Sequence, residues 1–292
     1  MSEMSSALSP AAIMLRHPCF NESAHERIGR IHLPVAPHCN IHCRFCERRV
    51  CANLSVQHPG WARRLLSPSG ALDLVRRQAA EHLQSTTSIA KAPFVVGVAG
   101  PGEPLANEAT FEALGLVHRE FPQLQKCVST NGLLLAERLP QLLSVGVTAL
   151  TVTVNAPEGQ VGQHIYAWVR HRGRTYRGQA GADLLIGKQM EGIQAALDAR
   201  LALKVNTVLI PGVNDRATVR LAQRLERLGV RLMNVMPLIP GGEMSDRRAP
   251  TCEELGQVRL DCEQHVPQFR RCQQCSADVI CFPLHRPQGE RV

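Results

Sequence analysis

Four cysteines fall within thirteen residues, at Cys39, Cys43, Cys46 and Cys51, and they limit what the chain can fold around. The first three read C-N-I-H-C-R-F-C, a C-x3-C-x2-C triplet with Phe45 just ahead of the last thiol. Three closely spaced thiolates hold three corners of a 4Fe-4S cube and leave the fourth iron open, whereas an electron-transfer cluster normally takes four cysteines. A zinc ribbon needs two C-x2-4-C pairs, and the bacterial ferredoxin run is C-x2-C-x2-C, so neither pattern fits. Eleven cysteines would mean disulfides in a short secreted chain. Here the opening M-S-E-M-S-S-A-L-S-P lacks a basic segment followed by an apolar one. The clustered spacing then points to metal ligation in a reducing cytoplasm.

No run of about 18 apolar residues occurs, so no membrane span is expected. The formal net charge is +8, which suits either a solvated Arg-rich surface or attraction to an anionic partner. The basic residues are dispersed and only two Trp and two Tyr are present. That leaves no stacking platform, and nucleic acid is not expected as a partner.

Short β-type apolar runs alternate with longer helix-type segments. The spacing predicts strands over Ile31–Ala36, Phe94–Ala99, Lys126–Thr130, Ala149–Val154, Ala202–Val208 and Leu232–Met236. It predicts helices over Ser67–Leu83, Asn107–Phe121, Leu133–Leu143, Ala182–Ala199, Asn214–Leu228 and Thr251–His265. Ser67, Asn107 and Asn214 suit N-cap positions. Six β-α units in register imply a parallel sheet with right-handed crossovers. Six are too few to close an eight-stranded barrel, so the expected fold is α/β, a partial (β/α)6 barrel left open. Its core is expected over residues 31–245, between an N-terminal arm over 1–30 and a C-terminal helix and Cys-rich tail over 246–292.

In such folds chemistry gathers at the C-terminal strand ends. The triplet follows the first predicted strand and A-G-P-G-E-P (Ala99–Pro104) the second. S-T-N-G (Ser129–Gly132) closes the third, and N-A-P (Asn155–Pro157) follows the fourth. I-P-G-V-N-D (Ile210–Asp215) and P-L-I-P-G-G (Pro237–Gly242) follow the last two. Turn chemistry alone explains a Gly, Pro or Asn at each place; their shared rim with the Cys loop points to one site.

A three-Cys loop after the first strand of a partial barrel resembles the radical S-adenosylmethionine (SAM) superfamily, whose hallmark is C-x3-C-x-aromatic-C. The resemblance implies that Cys39, Cys43 and Cys46 hold a SAM-binding 4Fe-4S cluster whose open iron is chelated by SAM. One electron then cleaves SAM to a 5′-deoxyadenosyl radical. Gly100, Gly102 and Glu103 match the Gly/Glu-rich segment that contacts the amino group of SAM, with the glycines allowing close backbone approach and Glu103 accepting from an ammonium. Asn131, in the Ser129–Gly132 segment, is a further SAM contact by the same resemblance. Thr151, Thr153 and Asn206 are candidates for holding the ribose or carboxylate.

Longer blocks narrow the match. H-P-C-F-N-E-S-A-H (His17–His25), R-I-H-L-P-V-A-P-H-C-N-I-H-C (Arg30–Cys43), C-A-N (Cys51–Asn53) and V-V-G-V-A-G-P-G-E-P-L-A-N (Val95–Asn107) resemble the NifB family of nitrogenase-cofactor maturation proteins. So do C-V-S-T-N-G-L (Cys127–Leu133), I-Y-A-W-V-R-H-R-G-R-T-Y-R-G (Ile165–Gly178), V-L-I-P-G-V-N-D (Val208–Asp215) and C-Q-Q-C-S-A-D (Cys272–Asp278). The chain stops soon after this C-x2-C and so resembles the minimal form, without a NifX-like domain.

The resemblance implies two additional 4Fe-4S clusters as substrate. They are fused with a SAM-derived carbon and one added sulfur into an eight-iron, carbide-centred precursor. One SAM donates a methyl group to a cluster sulfide, and a second yields the radical that abstracts hydrogen from that methyl. Soft ligands are available at Cys19, Cys51, Cys127, Cys272 and Cys275. His32 matches the family's H-x-x-V-A-P histidine, a nitrogen ligand that leaves more readily than thiolate. Beside these stand plainer readings: Cys19, Cys51 and Cys127 as buried structural thiols, and His32 as a hydrogen-bonded histidine lining the barrel. His17 and His25 are secondary ligand candidates. Cys252, Cys262 and Cys281 match nothing in the family pattern, the first two reading as structural and helix-borne. The Ile165–Gly178 block is expected to clamp anionic clusters or SAM.

Two departures stand out. The Cys46–Cys51 step is one residue shorter than the family's, and Leu54 stands where the family usually has an acid that would help deprotonate the bridging carbon. The implied partners are a Fe-S cluster donor, an electron donor and a scaffold or carrier (NifEN or NifX-like), with the chain itself a monomer. Two other functions stay open: a radical-SAM enzyme with auxiliary clusters acting on an organic molecule, and a non-catalytic cluster carrier. The SAM-contact segments argue against the carrier, and the ligands outside the triplet argue for the fusion enzyme.

Overall fold

The computed structural model describes residues 9–54, 57–82 and 93–283. Most of the M-S-E-M-S-S-A-L-S-P opening, Leu83 at the predicted end of a helix, and residues 284–292 of the tail lie outside them.

Two short helices, Pro10–Leu15 (α1) and Glu22–His25 (α2), precede the first strand, Gly29–His32 (β1). The Cys loop contains Ile41–Cys43 (β2), and Arg49–Val50 (β3) pairs with Trp61–Ala62 (β4). Regular alternation follows: Pro68–His82 (α3), Phe94–Val98 (β5), Glu108–Glu120 (α4), Lys126–Thr130 (β6), Leu135–Ser144 (α5) and Val147–Thr153 (β7). Gly159–Gly162 (α6) and a hairpin of Tyr166–His171 (β8) and Arg174–Tyr176 (β9) interrupt it. It resumes with Gly178–Asp198 (α7), Ala202–Leu209 (β10), Thr218–Leu228 (α8), Met233–Pro237 (β11) and Cys252–Glu263 (α9), and the strand Ile280–Cys281 (β12) comes last.

The main sheet runs β11-β10-β7-β6-β5-β1-β12. Its first six members are parallel, each followed by a helix, and β12 is antiparallel on β1. This is the expected partial (β/α)6 barrel, curled and open. The central strands β5, β7 and β10 are buried along almost their whole length, as a sheet with one face under helices and the other around a site requires. Leu114, Val117, Leu142, Ile193, Leu221 and Leu225 supply the helix side of the core.

The tail closes the open side. At β11, Met233 N–H donates to Pro267 O and Met233 O accepts from Phe269 N–H, at 2.9 and 2.8 Å. Ile280 and Cys281 pair with β1 at the opposite edge. Residues 270–279 therefore span from one edge of the half-barrel to the other, carrying Cys272 and Cys275. From the arm, Ile13 and Phe20 pack with Phe269 against Ala149 and Ala202, whose small side chains leave them room.

Three expectations shift. The strand expected over Ile31–Ala36 starts at Gly29, because Gly29 and Arg30 pair with Phe94 and Val95. It stops early: Leu33 N–H reaches Gly97 O at 2.8 Å, and Pro34 has no N–H to offer the next rung. The helix expected from Asn214 begins at Thr218. The Asn214 carboxamide is spent on Ile210 N–H, Val208 O and Asn155 O, at 2.7, 2.8 and 2.9 Å, which closes the loop after β10. Asn107 does sit at an N-cap, but its side chain makes no cap hydrogen bond and instead holds His38 O and Glu103 O, at 2.8 and 2.7 Å. Ser67 accepts from Gly70 N–H at 3.1 Å, as an N-cap should.

Candidate functional site

The Cys loop is gripped from two sides. β2 forms an antiparallel pair with β8, setting Cys43 opposite Tyr166 and His42 opposite Trp168. The Ile165–Gly178 block thus builds the hairpin that buttresses the Cys loop, and its Tyr166 lines the cavity. From the other side, Glu243 N–H donates to Arg44 O at 2.6 Å, and its carboxylate accepts from His42 Nε2 and the Arg44 guanidinium. Gly242 has φ +54°, and a Cβ there would lie 2.6 Å from Arg44 O.

Alternation along the strands aims one set of side chains inward: Cys127, Ser129 and Asn131; Thr151, Thr153 and Asn155; Lys204 and Asn206. They line a cavity of about 280 Å³ on the concave face of the sheet, together with the Cys loop, the arm and the tail. Every residue named from the sequence as a cluster ligand or SAM contact lines it, except Gly100, Cys51 and the secondary candidate His25. Gly100 lies in the loop just behind, with φ +141°. Cys51 is exposed, after β3.

The thiols fall into two groups. Cys39 and Cys43, with Phe45, pack at the hairpin end, and Cys46 follows in the same turn, its N–H on Cys43 O. Cys19, Cys127 and Cys272 come together at the floor formed by arm and tail. His32, Gly97 and Cys127 form one row across β1, β5 and β6. A Cβ at Gly97 would lie 2.9 Å from Cys127 Sγ and 3.3 Å from the His32 ring, so glycine is what lets both side chains share that row. No three His, Cys, Asp or Glu side chains among the described residues converge closely enough to hold a single metal ion. The thiols are spread over the cavity wall.

Burial pushes the Cys39 and Cys19 thiols up to about 11 and raises Cys43, Cys46 and Cys127 as well. At neutral pH such thiols keep their protons until a metal displaces them.

The histidines differ in which nitrogen they present. His32 Nδ1 lies 3.1 Å from Ser276 O, so it carries the proton and Nε2 offers a lone pair to the cavity. A metal-binding histidine is characteristically set this way. Burial holds the His32 ring neutral, down to about 4. His17 is reversed. Its Nδ1 accepts from Cys19 N–H at 3.1 Å, which leaves the proton on Nε2, a buried donor without a partner. His25 turns Nδ1 to Pro18 O at 2.8 Å and does not line the cavity. Of the three, His32 alone has the form of a ligand.

Glycine at 102 serves the chain's own packing. Its Cβ would fall 2.3 Å from His38 O and 2.9 Å from Ala36 O, so the expected close approach is between two backbone segments. Gly102 N–H donates to Ala36 O and Glu103 N–H to His38 O, at 2.6 and 2.8 Å. The buried Glu103 carboxylate accepts from Thr130 Oγ1 and Leu105 N–H on one oxygen and from Asn131 N–H on the other, at 2.5, 3.0 and 2.6 Å. The second oxygen keeps acceptor capacity for a cation in the cavity. Asn131 ties this segment to the Cys loop through Asn40 Oδ1 at 2.7 Å.

Burial pushes Glu103 from the ordinary 4.5 up to about 7, against those three hydrogen bonds. A carboxyl raised in the folded state binds its proton more tightly there, so stability falls as pH rises from 4.5 to 7. The drop in metal-free protein is about 3 kcal/mol. His17 and His32, held neutral by burial, tilt the same range the other way. The difference between parent and Glu103→Gln isolates the carboxyl. Urea midpoints taken from pH 4.5 to 8 are expected to show the variant gaining on the parent as pH rises. A pH-independent difference would contradict the assignment.

Alternation also exposes what the sequence reading passed over. Lys204 lies two residues before Asn206 on β10 and faces the same cavity. Tyr166 and Gln274 line it too, and Arg48 reaches it from the turn after Cys46.

The family described as the radical SAM superfamily matches residues 33–225. The chain is 43% identical to the FeMo cofactor biosynthesis protein NifB of Methanocaldococcus infernus over 268 residues, 92% of this chain and 86% of that protein. It is 44% identical to NifB of Methanocaldococcus jannaschii, over 90% of this chain and 85% of that one. Against NifB of Klebsiella pneumoniae identity is 39%, over 94% of this chain but 59% of the longer relative. Among solved structures, SuiB of Streptococcus suis bound to S-adenosylmethionine superposes with a TM-score of 0.57 at 10% identity, over 85% of this chain and 52% of SuiB. That likeness is one of fold.

Proposed function

The chain belongs to the radical SAM superfamily and, within it, to the NifB family, and on that footing we propose that it makes the iron-sulfur precursor of the nitrogenase FeMo cofactor. Two 4Fe-4S clusters are its substrate. The reaction joins them, with a carbon from SAM and one added sulfur, into an eight-iron, carbide-centred product. One observation carries this reading: a single cavity is lined both by the Cys triplet and by a separate set of soft ligands, Cys19, His32, Cys127, Cys272 and Cys275. A carrier has no use for the triplet, and an enzyme acting on an organic molecule has no use for so many thiols inside the substrate space. The reading rests on the five that share the cavity and not on Cys51.

Cys39, Cys43 and Cys46 would hold a 4Fe-4S cluster, which when bound and reduced would supply the electron for SAM cleavage. The chain's own residues do the rest. Glu103 accepts from the amino group of SAM, and Thr151, Thr153 and Asn206 offer hydroxyls and an amide to its ribose and carboxylate. Phe45 and Tyr166 pack at Cys43 and keep water from the triplet. The neutral His32 ring offers one substrate cluster a ligand that departs more easily than thiolate when the two units merge. A cluster donor, an electron donor and a scaffold or carrier for the product complete the cycle. Among the described residues no helix is long and apolar enough to cross a membrane.

The test is anaerobic reconstitution with iron and sulfide, followed by SAM and dithionite. Both S-adenosylhomocysteine and 5′-deoxyadenosine are expected, reporting methyl transfer and hydrogen abstraction. Deoxyadenosine alone would point to an organic substrate, and neither product to a carrier.

A further inference from the structure

Among the described residues three cations, Arg30, Lys126 and Lys204, are buried without a carboxylate, and two of them also lack a full set of carbonyl partners. Lys204 is 2% exposed. Its ammonium donates to Cys19 O at 2.7 Å and stands 4.9 and 5.3 Å from the ring centres of Phe269 and Phe20. Arg30, also 2% exposed, donates through Nη2 to the Gln273 amide and lies against the Cys275 thiol. Its Nε has no partner. None of the ion pairs among the described residues includes either cation.

Lys126 shows how this fold settles a buried lysine for structural ends. Its ammonium is ringed by the carbonyls of Leu124, Phe121 and Pro122, at 2.7, 3.4 and 3.4 Å. Lys204 has one carbonyl, with the rings of Phe20 and Phe269 beside it. A buried charge without compensation is costly, and folds keep one where an opposite charge meets it. Both Lys204 and Arg30 act on the thiol of Cys19; Lys204 also acts on Cys127, and Arg30 on Cys275. Two positive charges thus flank the sulfur-lined floor of the cavity, and the unpartnered Nε2–H of His17 is a neutral donor beside them.

We propose that Lys204 and Arg30 are the charge match for the substrate, selecting and holding a net-anionic, thiolate-ligated iron-sulfur cluster at the floor of the cavity. The inference rests on the reading that this floor receives substrate clusters. Both are positioning residues: Arg30 lies against the Cys275 sulfur, Lys204 is anchored on the Cys19 carbonyl, and they hold the cluster through its charge. A cation beside a cluster favours its reduced, more negative state, so removing it lowers the midpoint potential.

The test uses the full chain, reconstituted anaerobically with iron and sulfide and without SAM. Lys204→Met and Arg30→Met are compared with the parent and with Lys204→Arg. Measured are iron lost to a chelator, midpoint potentials by spectroscopic redox titration, and melting temperature of the iron-free protein. Each Met variant is expected to keep the iron of the triplet and to release the remaining iron about tenfold faster, with a more negative midpoint for what is left. Lys204→Arg should restore both. Iron-free Lys204→Met should melt at or above the parent temperature, since it discards an uncompensated charge, whereas a structural lysine would lower it. Unchanged retention and potential, or a melting loss in the iron-free form, would overturn the inference alone. A parent that binds iron only at Cys39, Cys43 and Cys46 would overturn it together with the two-cluster reading.

Discussion

Changing Cys39, Cys43 and Cys46 together to Ala is expected to abolish SAM cleavage while leaving about two thirds of the iron bound. The reason is spatial. The triplet brackets β2, with Cys39 before it, Cys43 at its end and Cys46 in the following turn, held by the β8 hairpin and by Gly242 and Glu243. The remaining ligands come from other elements: Cys19 from the arm, His32 from β1, Cys127 from β6, Cys272 and Cys275 from the spanning tail. Nothing in the hairpin's grip on the loop depends on the three thiols, since it is made of backbone hydrogen bonds and of Trp168 stacked on His42. Cys43 does pack beside Tyr166, so removing its sulfur costs stability, on the order of 1–2 kcal/mol. Iron and sulfide content, with 5′-deoxyadenosine assayed by chromatography, checks both halves. Complete loss of iron would show that the second set of ligands does not bind on its own.

Gly102→Ala is expected to destabilise the protein by about 3 kcal/mol and to weaken SAM binding at least about tenfold. The added methyl would meet His38 O at 2.3 Å, and that oxygen belongs to backbone already accepting from Glu103 N–H. A backbone segment tied at Ala36 and His38 cannot turn aside as a flexible side chain would. It leads straight into Cys39, and the other strand of the contact leads into Glu103. The strain is therefore passed to the Cys loop and the carboxylate at once. Gly187→Ala is the control. It lies within α7 with open space around its Cβ, and alanine there should stabilise by up to about 1 kcal/mol. Urea unfolding and equilibrium SAM binding to the reconstituted protein separate the two effects. A Gly102→Ala protein as stable as the parent would contradict the backbone packing described.

Much of the architecture was legible because parallel strands under helices are short runs rich in apolar, β-branched residues that alternate with longer helical segments. Runs such as Phe94–Val98 and Ala202–Leu209 announce themselves by composition, and the helices by their longer period. The hairpin of β8 and β9 was not legible in this way. Its half-polar sequence, Y-A-W-V-R-H, reads as a charged and aromatic surface until its partner is known, and that partner is a cysteine motif more than a hundred residues away in sequence. Strand pairing over such a distance leaves little local trace. The same holds for Lys204. Period-2 alternation from Asn206 puts it in the cavity, but a lysine inside a strand reads as a solvated face until its burial is seen. The cavity ligands from arm and tail came from motif resemblance, and their meeting at one floor depends on which sheet edges the tail bridges.

That bridge bears on the order in which the protein becomes competent during its own synthesis. The triplet's supports within the sheet and hairpin are complete once residue 176 has left the ribosome. Cys272 and Cys275 emerge roughly 5–20 s later at ordinary translation rates, and they take their places only when the segment after α9 has paired with both sheet edges. Until then the floor of the cavity is open. On the function proposed above, an iron-sulfur unit delivered there at that stage would lack the ligands of the tail. Completion of the two regions is thus staggered in time by the chain's connectivity: the hairpin side of the Cys loop comes first, its contact with Gly242 and Glu243 next, and the tail floor of the cavity last.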